Sequence, residues 1–232
     1  MASTMLQSFT TSVAKKQIVA VTGLLLIGFI LGHLAGNFAI FAGPEALNSY
    51  GEKIKALGPL LWAVRIALIF FAVVHIAFTI WVTVENRAAR GEDYAIDNNF
   101  GRTSWAKKTM IYSGLLIFLF LFLHLSDFTF ADKYGEQSVL GDSGESFGLY
   151  GIVWNAFLNP LRVFVYILTM IVLGMHLSHG VQSFFQTLGI VGKESLPLLE
   201  KVSMALGIIV AVGYSSIPLY VIIRHYTIGP GV

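Results

Sequence analysis

Residues 12–34, SVAKKQIVAVTGLLLIGFILGHL, decide the fold, because their pattern returns at residues 104–125 as SWAKKTMIYSGLLIFLFLFLHL. Both copies open Ser-x-Ala-Lys-Lys, and both place a glycine (Gly23, Gly114) ten residues before a histidine (His33, His124) that leucine follows. Self-similarity at this separation marks a duplicated structural unit. Each unit is a lysine pair, an apolar helix, and a histidine deep within the apolar part. Seventeen residues separate Lys16 from His33, and sixteen separate Lys108 from His124. That is roughly 25 Å along a helix axis, in a hydrocarbon core about 30 Å thick. Two imidazoles are therefore expected at one depth, far from the lysine side.

The composition agrees with a membrane solvent. Of 232 residues, 56% are hydrophobic and only 12% charged, and the mean hydropathy is +0.74. This is a polytopic membrane protein by composition, not a soluble domain, and nothing in it suggests a nucleic-acid partner. The formal charge of +2 says little until its distribution is considered. The absence of cysteine excludes disulfides, iron–sulfur clusters held by this chain and covalent c-type haem attachment. Any redox centre must be held by His or Met. The first apolar run is too long, and lacks a small-residue cleavage site, for a cleavable signal peptide. It is expected to be a retained helix.

Five spans are expected, at about 17–41, 60–84, 109–125, 162–188 and 202–223, each long enough to cross a bilayer if the third extends slightly. The chain reads as one all-α membrane domain, 1–232, without a domain boundary. Residues 1–14 read as an interfacial lead-in. All four tryptophans (Trp62, Trp81, Trp105, Trp154) fall near predicted span ends, as an aromatic belt requires. Lys15, Lys16, Arg87, Arg90, Arg102, Lys107, Lys108, Lys193 and Lys201 fall on one side of the membrane. Lys53, Lys55, Lys133 and Arg224 fall on the other. The positive-inside rule then puts the N-terminus in the cytoplasm, and the acidic, glycine-rich stretch 127–160 outside.

The second and fourth spans run the opposite way and also carry histidines. His75 lies about 18 Å from the inner end by helical rise, and His176 about the same from the end of its apolar run near Leu188. The four imidazoles thus form two levels, His33 with His124 outward and His75 with His176 inward. Ionisable groups inside spans are costly and mark function. A proton relay wants carboxylates at depth, and the predicted spans contain none. Zinc wants a tighter cluster with Cys, Asp or Glu. Two b-type haems, each axially held by two neutral imidazoles, fit what remains. His179, three residues beyond His176, competes as a ligand, whereas His225 falls at the interface. Gly28, Gly32 and Gly36 flatten one face of the first helix, either for close helix packing or for a macrocycle. Arg65 and Arg162, about one turn inside their helices, have two readings: snorkelling side chains or partners of haem propionates.

These residues resemble a known family. Gly-His33-Leu-Ala-Gly-Asn37, the stretch Gly43-Pro-Glu-Ala-Leu-Asn48, and His176-Leu-Ser-His-Gly180-Val-Gln-Ser look like the cytochrome b membrane subunit of succinate:quinone oxidoreductases, of the single-subunit, five-helix, dihaem type. The resemblance covers nearly the whole chain. It implies His176 rather than His179 as fourth ligand, since in that family the ligand precedes a glycine by four residues. It further implies the pairs His33/His124 and His75/His176 as axial ligands of two haems b. The implied partners are a flavoprotein carrying FAD and an iron–sulfur subunit, docked on the cytoplasmic face by the Arg87–Lys108 loop and the Lys15/Lys16 end. The implied substrate side is a membrane quinone, menaquinone by this reading.

Two departures stand out. Quinone-reactive members often carry a carboxylate twenty-two residues after the first ligand, where this chain has Lys55; Glu52 is the nearest acid and the candidate quinone residue. Some fumarate-reducing members carry a Glu two residues before the fourth ligand, where this chain has Gly174. That favours succinate oxidation in the cytoplasm feeding an external quinone site, with the membrane potential assisting. Two rival readings are the cytochrome b subunit of a formate dehydrogenase or hydrogenase, and a haem-free transporter or assembly factor with polar core histidines.

Overall fold

The computed structural model describes residues 11–89, 105–141 and 144–228, with backbone only for 105–108. The stretch 1–10, most of the Arg87–Lys108 loop, and the side chains of Trp105, Lys107 and Lys108 lie outside the described residues. Among the described residues the helices are α1 (Ser12–Asn37), α2 (Pro44–Lys55), α3 (Pro59–Ala88), α4 (Trp105–His124), α5 (Gly148–Phe157), α6 (Pro160–Thr187) and α7 (Leu196–Thr227). The expected all-α bundle is what forms. Five segments of 21 to 32 residues, built on α1, α3, α4, α6 and α7, are long and apolar enough to span a membrane.

Local chemistry sets the helix starts. The Thr11 side chain accepts the Ala14 N–H at 3.2 Å, and the Asn159 side chain accepts those of Leu161 and Arg162. Such caps satisfy amides left without intrahelical partners. Proline opens α2, α3 and α6, where its missing N–H costs nothing. Gly43, at φ 98°, makes the turn into α2 that an L side chain resists.

Packing differs between the two ends of the bundle. In lipid, apolar burial does not drive helices together, and α3 buries no residue at all. Beyond the ends of α1 and α4, by contrast, α2, α5 and the intervening loop form a cap with a compact core. Ile40, Leu47, Leu140, Tyr150, Trp154 and Phe157 are at most 3% exposed there, packed with Tyr166 of α6 and Val221 of α7. Asn48 ties α2 to the start of α5, accepting the Tyr150 N–H at 3.0 Å and donating to the Phe147 carbonyl at 2.9 Å. Trp154 therefore departs from expectation. Trp62 and Trp81 lie exposed on span faces, but Trp154 is 1% exposed in the cap core and belongs to no aromatic belt.

Lys15 departs too. It is 3% exposed, 2.5 Å from Glu85 of α3, and 4.1 Å over the Trp81 ring. It clamps α1 to α3, while Lys16 remains exposed beside it.

The third span extends past its apolar run, as its length requires. After His124 the helix widens into a π-turn, Leu125–Thr129, in which the Phe130 N–H reaches the Leu125 carbonyl at 2.9 Å. Asp127, assigned by sequence to the external loop, sits in that turn with its residue 8% exposed. The expectation of spans free of acids is thereby corrected.

The glycines of α1 divide in the same way. A Cβ at Gly28 or Gly32 would meet nothing within 4 Å, while Gly36 lies under the Tyr50 ring of α2. Close packing of spanning helices occurs instead between α6 and α7, which share the most extensive contact in the bundle. There Gly174 and Gly207 lie backbone to backbone.

Candidate functional site: two levels of paired histidines

The two cap-side histidines meet. The His33 and His124 ring centroids are 5.8 Å apart, with the planes at 89°. Aromatic side chains box this pair. Phe29 stacks on His33 at 5.3 Å, and Tyr214 approaches it from α7 at 6.2 Å. Around His124 stand Phe120, Phe128 and Tyr166, at centroid distances of 5.9, 5.3 and 6.3 Å. Asn37 donates to the His33 carbonyl at 2.7 Å, and the Tyr214 hydroxyl donates to that of Ile30 at 2.7 Å. Both bonds brace the last turns of α1 beside the imidazole.

The other two histidines lie at the level of α1 and α4 residues eleven positions earlier. His75 Nδ1 is 3.2 Å from Thr22 Oγ1 and 3.1 Å from the Val19 carbonyl. His176 Nδ1 is 2.9 Å from Ser113 Oγ. The two rings are within electrostatic range of one another. Glycine follows each hydroxyl residue and admits the ring edge. A Cβ at Gly23 would stand 3.1 Å from His75 Cε1, and one at Gly114 would stand 3.5 Å from His176 Cε1. Thr22 to His33 and Ser113 to His124 are both eleven residues, so hydroxyl and histidine share a helix face about 16 Å apart. The duplicated sequence thus repeats one piece of geometry, in which the first helix supplies a cap-side imidazole and the seat for its partner helix's imidazole. The seat residues were missed in the sequence reading, although the hydroxyl directly before the shared glycine was visible in both copies.

His179 is half-buried on the same helix as His176, about 60° of helix rotation away. His225 is exposed at the cap end, with Trp154 6.4 Å from its ring.

The two candidate arginines differ. Arg65 stacks over the Trp62 ring at 5.1 Å and makes no ion pair among the described residues. Arg162 is 3.1 Å from Asp127 Oδ1, and Tyr166 donates to Asp127 Oδ2 at 2.9 Å. This triad ties the π-turn after His124 to α6, and Tyr166 is also one wall of the His124 box. The pair is asymmetric, since Asp127's side chain is 3% exposed and Arg162's is 44% exposed. Removing Arg162 strands a buried carboxylate, whereas removing Asp127 leaves a cation that can turn to water. Arg162→Leu is therefore expected to cost about 1–3 kcal/mol, the half-exposed arginine keeping the loss below that of a fully buried pair. Asp127→Asn, which can still accept from Tyr166, should cost less. Comparative unfolding of the two variants in detergent checks the order, and an equal or inverted loss contradicts it.

Glu52 is exposed and 3.8 Å from Lys55. With Asn48, Lys133, Tyr134 and Ser146 it lines a cleft of about 210 Å³ between α2 and the loop. The four histidines form no metal site of three or more donors among the described residues; they are arranged in twos. No family model, curated protein or solved structure matches the chain.

Proposed function

We propose that this chain is the dihaem cytochrome b membrane anchor of a succinate:quinone oxidoreductase, carrying electrons between a cytoplasmic iron–sulfur subunit and menaquinone in the cell's inner membrane. The observation that carries the reading is the meeting of His33 and His124. Their ring centroids stand 5.8 Å apart, a separation at which both imidazoles could hold one metal by bonds of about 2 Å. The donor types also suit it, being imidazoles on four helices in a chain without cysteine. His33 and His124 would hold one haem, and His75 and His176 the other. Bound there, bis-imidazole haem supplies reversible one-electron transfer.

The protein's part is to hold and insulate. The aromatic box and the cap keep water from the cap-side pair, and the strip at Gly28 and Gly32 leaves α1 open for a flat macrocycle. Arg65, unpaired by any described carboxylate, is the better candidate of the two arginines for a propionate, because Arg162 is already engaged by Asp127. Lys16, beside an open cleft with Ser183, Gln186 and Thr187, takes over the docking role first assigned to the lysine pair. FAD and iron–sulfur clusters belong to the partner subunits in this reading. The quinone head is assigned to the cleft beside Glu52, whose exposed carboxylate can exchange protons with water.

Purified protein is expected to show two low-spin haems b per chain by the pyridine haemochrome assay, and to co-purify with a flavoprotein. Preparations without haem absorbance overturn the reading; a molybdenum or nickel partner in place of flavin reassigns the complex but not the haems.

A further inference from the structure

We infer that Thr22 and Ser113 are positioning residues that fix the proton of His75 and of His176 on Nδ1, leaving Nε2 bare as the metal-binding nitrogen of both. The inference deepens the dihaem reading and rests on it.

The direction of each hydrogen bond follows from counting protons. A hydroxyl has one proton to donate and two lone pairs. Thr22 Oγ1 lies 2.7 Å from the Ile18 carbonyl and Ser113 Oγ lies 2.9 Å from the Met110 carbonyl, and a carbonyl can only accept. Each hydroxyl proton is thereby committed to its own helix. The proton between hydroxyl and imidazole must come from the imidazole. At His75 the Val19 carbonyl, 3.1 Å from the same nitrogen, demands the same assignment, because it has nothing to donate.

A neutral imidazole has one N–H and one lone pair. With the proton held on Nδ1, the lone pair of each ring is on Nε2. An imidazole whose N–H is donated to an acceptor is a more basic ligand with a set ring orientation. The arrangement occurs twice, in both copies of the repeat, with the same hydroxyl–glycine order and the same spacing to the next histidine. It is confined to one level. At His33 and His124 the described side chains around the rings are aromatic walls rather than a hydroxyl seat.

The two seats are unequal. His75 keeps the Val19 carbonyl if Thr22 loses its hydroxyl, whereas the Ser113 hydroxyl is the one acceptor found at His176 Nδ1 among the described residues. Ser113→Ala should therefore act more strongly than Thr22→Val.

The test uses the full chain with its partners, redox titration of each haem, and EPR of the low-spin ferric signals. In Ser113→Ala the His75/His176 haem is expected to rise in potential, to shift its g-values, and to be lost to apomyoglobin about 10–100-fold faster. Thr22→Val should give a smaller shift in the same direction, and the other haem should not change. Ser113→Thr and Thr22→Ser, which keep the hydroxyl, should keep the native potential and g-values, as a change of packing alone would not. Unchanged potential and g-values in a folded, two-haem Ser113→Ala protein overturn the inference while leaving the dihaem reading intact. So does a shift confined to the His33/His124 haem. If Ser113→Ala does not assemble, Thr22→Val decides on the same criteria. Wild-type protein without haem overturns the underlying reading and the inference with it.

Discussion

On the dihaem reading proposed here, a His176→Ala protein is expected to hold one haem per chain instead of two, the haem at His33/His124 being the one kept. His179→Ala, by contrast, is expected to keep both. The two histidines are one turn apart on α6, but only His176 lies at Ser113 and Gly114, in the seat that mirrors the one holding His75. The pairing confines the loss to one level, since His33 and His124 come from α1 and α4 and do not depend on that part of α6. The pyridine haemochrome assay measures the stoichiometry, and EPR identifies the remaining haem. Two haems in His176→Ala, or one in His179→Ala, contradict the assignment of the fourth ligand.

Gly174→Ala is expected to be among the most damaging single-methyl changes in the molecule. The new Cβ would stand 2.5 Å from the Gly207 carbonyl oxygen and 2.9 Å from Ala211 Cβ. Neither obstacle is the end of a flexible side chain. Overpacking of a core typically costs 1–3 kcal/mol; here the obstacle is backbone, so α6 and α7 must separate along their contact. A loss of about 3 kcal/mol is expected, at the upper end of that range. Because the bundle has no hydrophobic effect in lipid to restore the contact, small residues at the crossing carry the association. Gly28→Ala is the control, since its Cβ meets nothing within 4 Å. Unfolding in graded detergent denaturant should separate the two variants clearly, and equal stability contradicts the packing argument.

The same contact explains the residue at position 174. Position 174 is where the sequence resemblance looks for a Glu, and this chain has glycine there. The structure adds a steric cause. With the Gly207 carbonyl against Gly174, no side chain of any kind fits there while α6 and α7 pack as they do. Among the described residues the buried acid is Asp127, held by Arg162 and Tyr166.

The sequence by itself determined the number of spans, their approximate limits, one histidine on each of four helices and the duplication that relates them. Hydropathy over some twenty residues is a local property, and helical rise converts sequence distance into depth without knowledge of the neighbours. The eleven-residue step from hydroxyl to histidine was also there to be read, in both copies. What rotation and partner choice control was decided only in three dimensions. Lys15 found Glu85 seventy residues away, so a residue read as a surface cation became a clamp. Asp127 was buried because a π-turn carried the helix one turn beyond its apolar run and Tyr166 and Arg162 stood opposite. Trp154 was drawn into a cap core that no hydropathy window separates from a span end. Gly28 and Gly32, spaced as a packing stripe, met no helix, while Gly174 and Gly207, on different helices, made the closest crossing. A side chain's depth follows from its own helix, but the group it faces is supplied by another part of the chain, and only the packing of helices brings the two together.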